Sequence, residues 1–264
     1  MTWGPDGKIA VVTGASSGIG EATTRRLAGA GLTVVAVARR VDRLEALASD
    51  LEGARGRVVP HAADVTDTEA VDALAARVRD EFGACHALIN NAGIGGGAFT
   101  GREDLDDTLR TLDVNLLGTF RCLAAFSDLL EASAPSRVVN VASVAGKLGI
   151  GPAGYAASKF GVVGLSEALS LSWASRGITV CQLNPGFIVT EGFPQTDLTG
   201  GPLGRLVGEP EDVADRIAEV LRTGVAERTV PGWYRSFVAF RHVAPPLYRA
   251  IASRIDRAGG ERRA

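Results

Sequence analysis

Short runs of apolar residues recur along this chain, and a helix-forming stretch separates almost every pair of them. Residues 9–13, 32–37, 57–61, 87–90, 137–142 and 179–183 read as strands, with 228–230 as an edge strand. Helical periodicity fills 21–30, 40–51, 67–82, 105–130, 155–176 and 211–223, and Leu44, Leu47 and Leu51 share one face of the second helix. Strands this short and this uniformly apolar have no solvated face, so they belong in a parallel sheet covered by helices on both sides. The expected architecture is α/β: a doubly wound parallel sheet in a single domain. A length of 264 residues is compatible with one such unit, and no repeat or linker-like shift in composition divides it.

Composition narrows the function classes. A formal net charge of −2 gives no general attraction to nucleic acid. Cys85, Cys122 and Cys181 are odd in number and scattered, without CxxC spacing. That argues against a disulfide framework or a structural zinc site and favours a reducing compartment. No His/Cys/Asp cluster offers a metal site. The first residues have no apolar signal-peptide core, and no apolar stretch reaches the length of a membrane span. The expectation is a cytoplasmic protein.

The turn after the first strand reads Thr13-Gly14-Ala15-Ser16-Ser17-Gly18-Ile19-Gly20. Its spacing, G-x-x-x-G-x-G, differs from the common dinucleotide fingerprint, but the physical logic is shared. Gly14 permits a tight exit from the strand, Gly18 lets a pyrophosphate approach the backbone, and Gly20 lets the helix pack close. Helix amides then face the negative charge. Gly14, Ser16, Ser17, Gly18, Ile19 and Gly20 are therefore candidate cofactor-binding residues. The second strand ends at Ala38 and is followed by Arg39 and Arg40 rather than by an acid. An acid there would accept bonds from a ribose 2′-hydroxyl and repel a 2′-phosphate, whereas an arginine–phosphate bond contributes about 1.5–3 kcal/mol. NADP(H) is favoured over NAD(H); the alternative is a pair of solvated arginines at a helix start.

Tyr155 and Lys159 stand four residues apart at the start of a helical segment, so their side chains share a face. A phenol has a pKa of about 10, and a neighbouring ammonium stabilises its anion. Such a tyrosine protonates a carbonyl oxygen in reduction or takes a hydroxyl proton in oxidation. Ser143 lies just past the fifth strand, where ligands of parallel sheets bind. Asn115 interrupts the apolar run 112–117 and needs partners if buried. Asn90-Asn91-Ala92-Gly93 follows the fourth strand.

Together, in this order, these segments resemble the short-chain dehydrogenase/reductase family over about residues 8–223. Thr13–Gly20 matches its T-G-x-x-x-G-x-G turn, and residues 90–93 match its N-N-A-G segment. Asn115, Ser143, Tyr155 and Lys159 match its tetrad, and Pro185-Gly186 and Thr190 match its motif after the sixth strand. The resemblance implies a Rossmann-like fold and hydride transfer between NADP(H) and an alcohol/carbonyl pair. It implies Tyr155 as general acid/base, with Lys159 lowering its pKa and holding the nicotinamide ribose. Ser143 would orient the substrate oxygen, and Asn115 would fix a water in a proton relay. Asp64 and Val65 resemble an adenine-contacting pair, Asn91, Ala92 and Gly93 would line the cofactor, and Ile188 and Thr190 would fix the carboxamide beside Pro185 and Gly186. It further implies a homodimer or homotetramer. The competing reading is a non-catalytic NADP(H)-binding protein of the same fold, which generally lacks a tetrad residue.

Two regions bear on the substrate. Residues 187–210 carry Phe187, Phe193, Pro194, Leu198, Leu203 and Leu206, with glycines at 192, 200, 201 and 204 among them. They suit either a lid over a hydrophobic alcohol or carbonyl compound, or a surface loop with its apolar residues tucked inward. Residues 93–97, before Phe99, are expected to shape the opposite wall. The extension 225–264 holds eight arginines against Glu227, Asp256 and Glu261, interleaved with Phe237, Phe240, Val243, Leu247, Tyr248 and Ile251. It reads as two short amphipathic helices parted by Pro245-Pro246. Packing over the cleft or against another subunit is favoured over a peripheral membrane contact.

Overall fold

The computed structural model describes residues 3–191 and 207–260, with side chains through Arg254. Seven parallel strands form one sheet in the order β3-β2-β1-β4-β5-β6-β7. They are β1 (Ile9–Thr13), β2 (Thr33–Ala38), β3 (Arg57–Ala62), β4 (Ala87–Asn90), β5 (Ser136–Val141), β6 (Ile178–Pro185) and β7 (Glu227–Val230). Every strand expected from the sequence is present, with ends shifted by a residue or two. The chain winds outward from β1 in one direction to β3, then returns to β4 and winds the other way. That reversal leaves a crevice at the carboxyl ends of β1 and β4, where sheets of this kind take their ligands.

Side-chain alternation divides the core in two. Ala10, Val12, Val34 and Ala36 face α1 (Gly18–Gly29) and α8 (Pro210–Thr223), packing with Leu27, Ile217 and Leu221. Val11, Val35 and Leu88 face the opposite layer, where α3 (Thr68–Phe82) contributes Leu74 and Val78, and α5 (Gly118–Ala132) contributes Phe126 and Leu130. Both faces are apolar because both are covered, which is why the strands read as continuous apolar runs. α2 (Val41–Asp50) buries Leu44 and Leu47 beside β2.

The helical region expected over 105–130 is three pieces. α4 (Leu105–Leu112) passes through a single π-helical turn, Asp113–Leu117, into α5. A π turn widens the helix by one residue and rotates the helical residues beyond it, and such turns concentrate at functional sites. Here it carries Asn115. α6 (Ala145–Leu148), a single turn after β5, precedes α7 (Ala153–Ser172), which holds Tyr155 and Lys159.

The extension after β7 forms α9 (Tyr234–Val243) and α10 (Pro245–Gly260). It packs on the segment that follows Ser143. Tyr234 and Val238 join Val144, Leu148, Ile150, Phe187 and Tyr248 in an apolar cluster, and Tyr248 donates its hydroxyl proton to Leu148 O at 2.7 Å. Arg241 donates to Lys147 O and stacks over Phe160. Among the described residues, no helix is long and apolar enough to cross a membrane. Phe193, Pro194, Leu198, Leu203 and Leu206 of the expected lid lie outside the described residues.

Candidate active site

The glycine-rich turn joins β1 to α1 with no room for a side chain at Gly14 or Gly20. Gly14 has φ +68°, and a Cβ on it would lie 2.9 Å from Ala92 Cα. A Cβ on Gly20 would lie 2.1 Å from Gly14 O, so the first turn of α1 presses directly on the strand exit. Ser17 is the N-cap residue of α1 and makes no side-chain capping bond. The first amides of α1 therefore lack a side-chain cap, and they carry the positive end of the helix dipole. These features fit a dinucleotide pyrophosphate held by main-chain amides.

Across the crevice, Thr13 ties β1 to the segment after β4. Its hydroxyl accepts from Asn91 N and Ala92 N, each at 3.0 Å, and donates to Ile89 O at 3.3 Å. Asn91 Nδ2 donates back to Thr13 O at 2.9 Å. Gly93 comes next, with Asn115 Oδ1 and Lys159 Nζ just beyond, 3.2 and 3.5 Å from where its Cβ would stand. Thr190 reaches the turn from the other side; its Cβ lies 3.0 Å from where a Cβ on Gly18 would stand.

Asn115 is buried and satisfied by main chain and one hydroxyl. It accepts from Ile94 N at 2.8 Å and donates to Ile94 O at 2.9 Å and to Ser158 Oγ at 3.0 Å. The asparagine thus clamps the loop after β4 to α7, one residue before Lys159. A second tie runs from Gly154 N to Gly97 O at 2.7 Å, while Gly97 N donates to Asp107 at 2.6 Å. Both anchors bracket Tyr155.

Ser143 lies past the end of β5, its hydroxyl accepting from Ala145 N at 3.1 Å and donating to Pro185 O at 3.4 Å. Burial pushes the Tyr155 phenol up, and a hydrogen bond with Ser143 acts in the opposite direction. Lys159 is buried, donates to Val141 O at 2.9 Å, and has its pKa lowered by burial to about 8. Its ammonium lies 5.8 Å from the centre of the Tyr155 ring. Desolvation of the phenol dominates, so its resting form is the neutral acid.

At the outer end, Arg39 pairs with Asp64 at 3.6 Å, and Asp64 also accepts from Thr66 N and Thr66 Oγ1. Burial would raise this carboxyl, but the Thr66 hydrogen bonds and the Arg39 charge hold it below its usual range. Arg40 reaches back to the hydroxyls of Ser16 and Ser17. Val65 and Ile188 instead bury their side chains in the two halves of the core, so only their main chain is left to face a ligand. Pro185 accepts from Val144 N at 2.9 Å, and Gly186 lies against the ring of Tyr234, where a Cβ would come within 2.1 Å of Tyr234 Cε2. Thr13, although within the matched turn, and Ser158 and Tyr234 were not among the candidate site residues. A polar residue closing an apolar strand, and a hydroxyl three residues after Tyr155, were the signals for the first two.

The sequence matches the short chain dehydrogenase profile over residues 8–198. The chain belongs to the short-chain dehydrogenase family. A 3-oxoacyl-acyl-carrier-protein reductase of Synechocystis is 36% identical over 217 residues, covering 80% of this chain and 87% of that protein. Among solved structures, a short-chain dehydrogenase/reductase from Burkholderia phymatum in complex with NAD superposes with a TM-score of 0.81 at 28% identity, covering 92% and 95% of the two chains. The L-sorbose reductase of Gluconobacter frateurii, complexed with NADPH and L-sorbose, does so with a TM-score of 0.77 at 27% identity, covering 88% and 98%. This dehydrogenase-family fold binds a nicotinamide cofactor, NAD in one neighbour and NADPH in the other.

Proposed function

We propose that the protein is an NADP(H)-dependent oxidoreductase that moves a hydride between the cofactor and a lipophilic alcohol or carbonyl compound. The observation that carries this reading is the convergence of Asn115, Ser143, Tyr155 and Lys159 beside the crevice that the glycine-rich turn opens. The reduced nicotinamide supplies the hydride and the oxidised one accepts it. Tyr155, neutral at rest, gives its proton to the substrate oxygen in reduction and regains one in oxidation. Ser143 shares a hydrogen bond with that phenol and orients the same oxygen. Lys159, a cation at neutral pH in a site of low dielectric, favours the phenolate as the proton leaves and holds the nicotinamide ribose. Asn115 fixes the loop and helix on which these groups stand and takes the place of the relay residue. The turn from Gly14 to Gly20 receives the pyrophosphate, with Asn91, Ala92, Gly93 and Thr190 along the nicotinamide half. Asp64 and Val65 flank the adenine. Arg39 and Arg40 support the 2′-phosphate, and the cluster of Leu148, Ile150 and Phe187 beyond Ser143 supports a lipophilic substrate.

Self-association as a dimer or tetramer belongs to the same reading. Leu109 on α4, Leu117 in the π turn and Phe120 on α5 leave apolar side chains at the surface. The cytoplasm is the proposed compartment. The direct test monitors oxidation of NADPH and NADH across a panel of lipophilic aldehydes and ketones. NADPH should be consumed with at least one of them, at an efficiency about tenfold or more above NADH. Turnover only with NADH, or only with highly charged metabolites, would contradict the proposal.

A further inference from the structure

The glycine-rich turn and the segment after β6 meet in a charged contact that neither motif nor periodicity announces. Arg40 lays its guanidinium across the turn, Nη2 donating to Ser16 Oγ at 3.1 Å and to Ser17 Oγ at 3.0 Å. Its Nη1 donates to Glu191 Oε1 at 2.9 Å, and Arg43, from the first turn of α2, donates to Glu191 Oε2. Glu191 directly follows Thr190 in the chain. Two guanidinium groups therefore converge beside two serine hydroxyls at the outer end of the turn, and the anion they hold is the protein's own carboxylate.

We infer that Glu191 is a specificity-determining residue: its carboxylate takes up the arginine donors that would serve a 2′-phosphate and so narrows the preference for NADP(H) over NAD(H). The inference rests on the proposed role of Arg39 and Arg40 as the phosphate end of the cofactor site. A phosphate monoester carries close to two negative charges near neutral pH. To engage Arg40 and Arg43 it must displace Glu191 or accept repulsion from it. A ribose hydroxyl does neither, so NAD(H) binds with the Arg40–Glu191–Arg43 contact intact. The side chains of Arg40, Arg43 and Glu191 are 41%, 45% and 51% exposed, so water screens the contact and its effect is several-fold rather than many orders of magnitude. Arg39 pairs with Asp64 instead of Glu191, so part of the phosphate preference survives the competition.

The test measures dissociation constants of the full-length protein for NADPH and NADH by nicotinamide fluorescence, which requires no turnover. Glu191→Gln keeps the shape and removes the charge. It should raise the ratio Kd(NADH)/Kd(NADPH) about fivefold, with the NADH value unchanged and the gain diminished by added salt. Taking the ratio cancels any effect of Glu191 on access to the site that both cofactors share. A ratio that stays constant or falls in Glu191→Gln overturns the inference; if Arg40→Gln still weakens NADPH selectively, the cofactor reading stands without it. If Arg39→Gln and Arg40→Gln both leave NADPH binding unaltered, the cofactor reading fails and takes the inference with it. Matched thermal unfolding of the variants establishes that each is folded.

Discussion

In the crevice at the ends of β1, β4 and β5, polar side chains are bound to main chain on neighbouring elements. Thr13 bridges two strand ends, Asn115 clamps a loop to a helix, and Lys159 reaches Val141 O. The wall beyond Ser143 is held differently. There, Leu148, Ile150, Phe187, Val238 and Tyr248 pack by shape, with few directional bonds, and Trp233, Phe237 and Leu247 stay partly open to solvent. On the proposed function, the contrast separates two tasks. Proton and hydride chemistry needs reacting groups fixed to a fraction of an ångström, which directional bonds to rigid elements provide. Recognition of an apolar body needs area and volume, which a repackable surface provides. Substitutions in the crevice should therefore be felt sharply in turnover, and those in the wall mildly and mainly in apparent affinity.

The sharpest of these concerns a cost built into the crevice. Lys159 has a folded pKa of about 8, below its unfolded value near 10.5, because burial disfavours its charge. Between those values the unfolded chain binds the additional proton, so stability rises as pH rises through the window. Below pH 8 the folded protein carries the full cost, about 3 kcal/mol as an upper bound. Lys159→Met should raise the Tm of the cofactor-free protein at pH 7, and the gain should shrink as pH goes from about 8 toward 10.5, while turnover collapses. A gain independent of pH would show that the buried charge is not its source.

Asn115→Ala should come next. It removes three hydrogen bonds and leaves both main-chain groups of Ile94 without a protein partner. A loss of about 2 kcal/mol in urea unfolding is expected, with a fall in kcat. An unchanged stability would mean that the clamp is not structural. Tyr248→Phe, in the wall, deletes only the bond to Leu148 O and should cost about 1 kcal/mol or less. For a lipophilic substrate it should raise KM a few-fold at constant kcat. A fall in kcat equal to that of Asn115→Ala would erase the distinction between the two regions.

The same division governed what the sequence disclosed. Strand positions and the turn at Gly14–Gly20 were legible because they depend on local apolar runs and on glycine where no side chain fits. The order of Asn115, Ser143, Tyr155 and Lys159 along the chain was legible through the resemblance, while the spacing of Tyr155 and Lys159 and the place of Ser143 past a strand end were legible from the residues themselves. The π turn was not, since its widening by one residue leaves helical periodicity nearly intact over Leu112–Leu117. Nor was the buried chain from Asn90 Nδ2 to Asn140 Oδ1 and from Asn140 Nδ2 to Ser166 Oγ, which ties β4, β5 and α7 together. Hydrogen bonds between residues far apart in sequence leave no local pattern. The elevated resting pKa of Tyr155 was hidden for the same reason, because burial is a property of the assembled layers.

Replacing Tyr155 by phenylalanine, with NADPH binding and turnover measured on the same preparation, puts the central claim to the most direct trial. The account predicts that turnover falls about 10³-fold while the dissociation constant for NADPH moves less than about threefold, since only the transferable proton has been removed. Turnover within a few-fold of the original enzyme would mean that another group moves the proton, and the role given to Tyr155 would have to be abandoned.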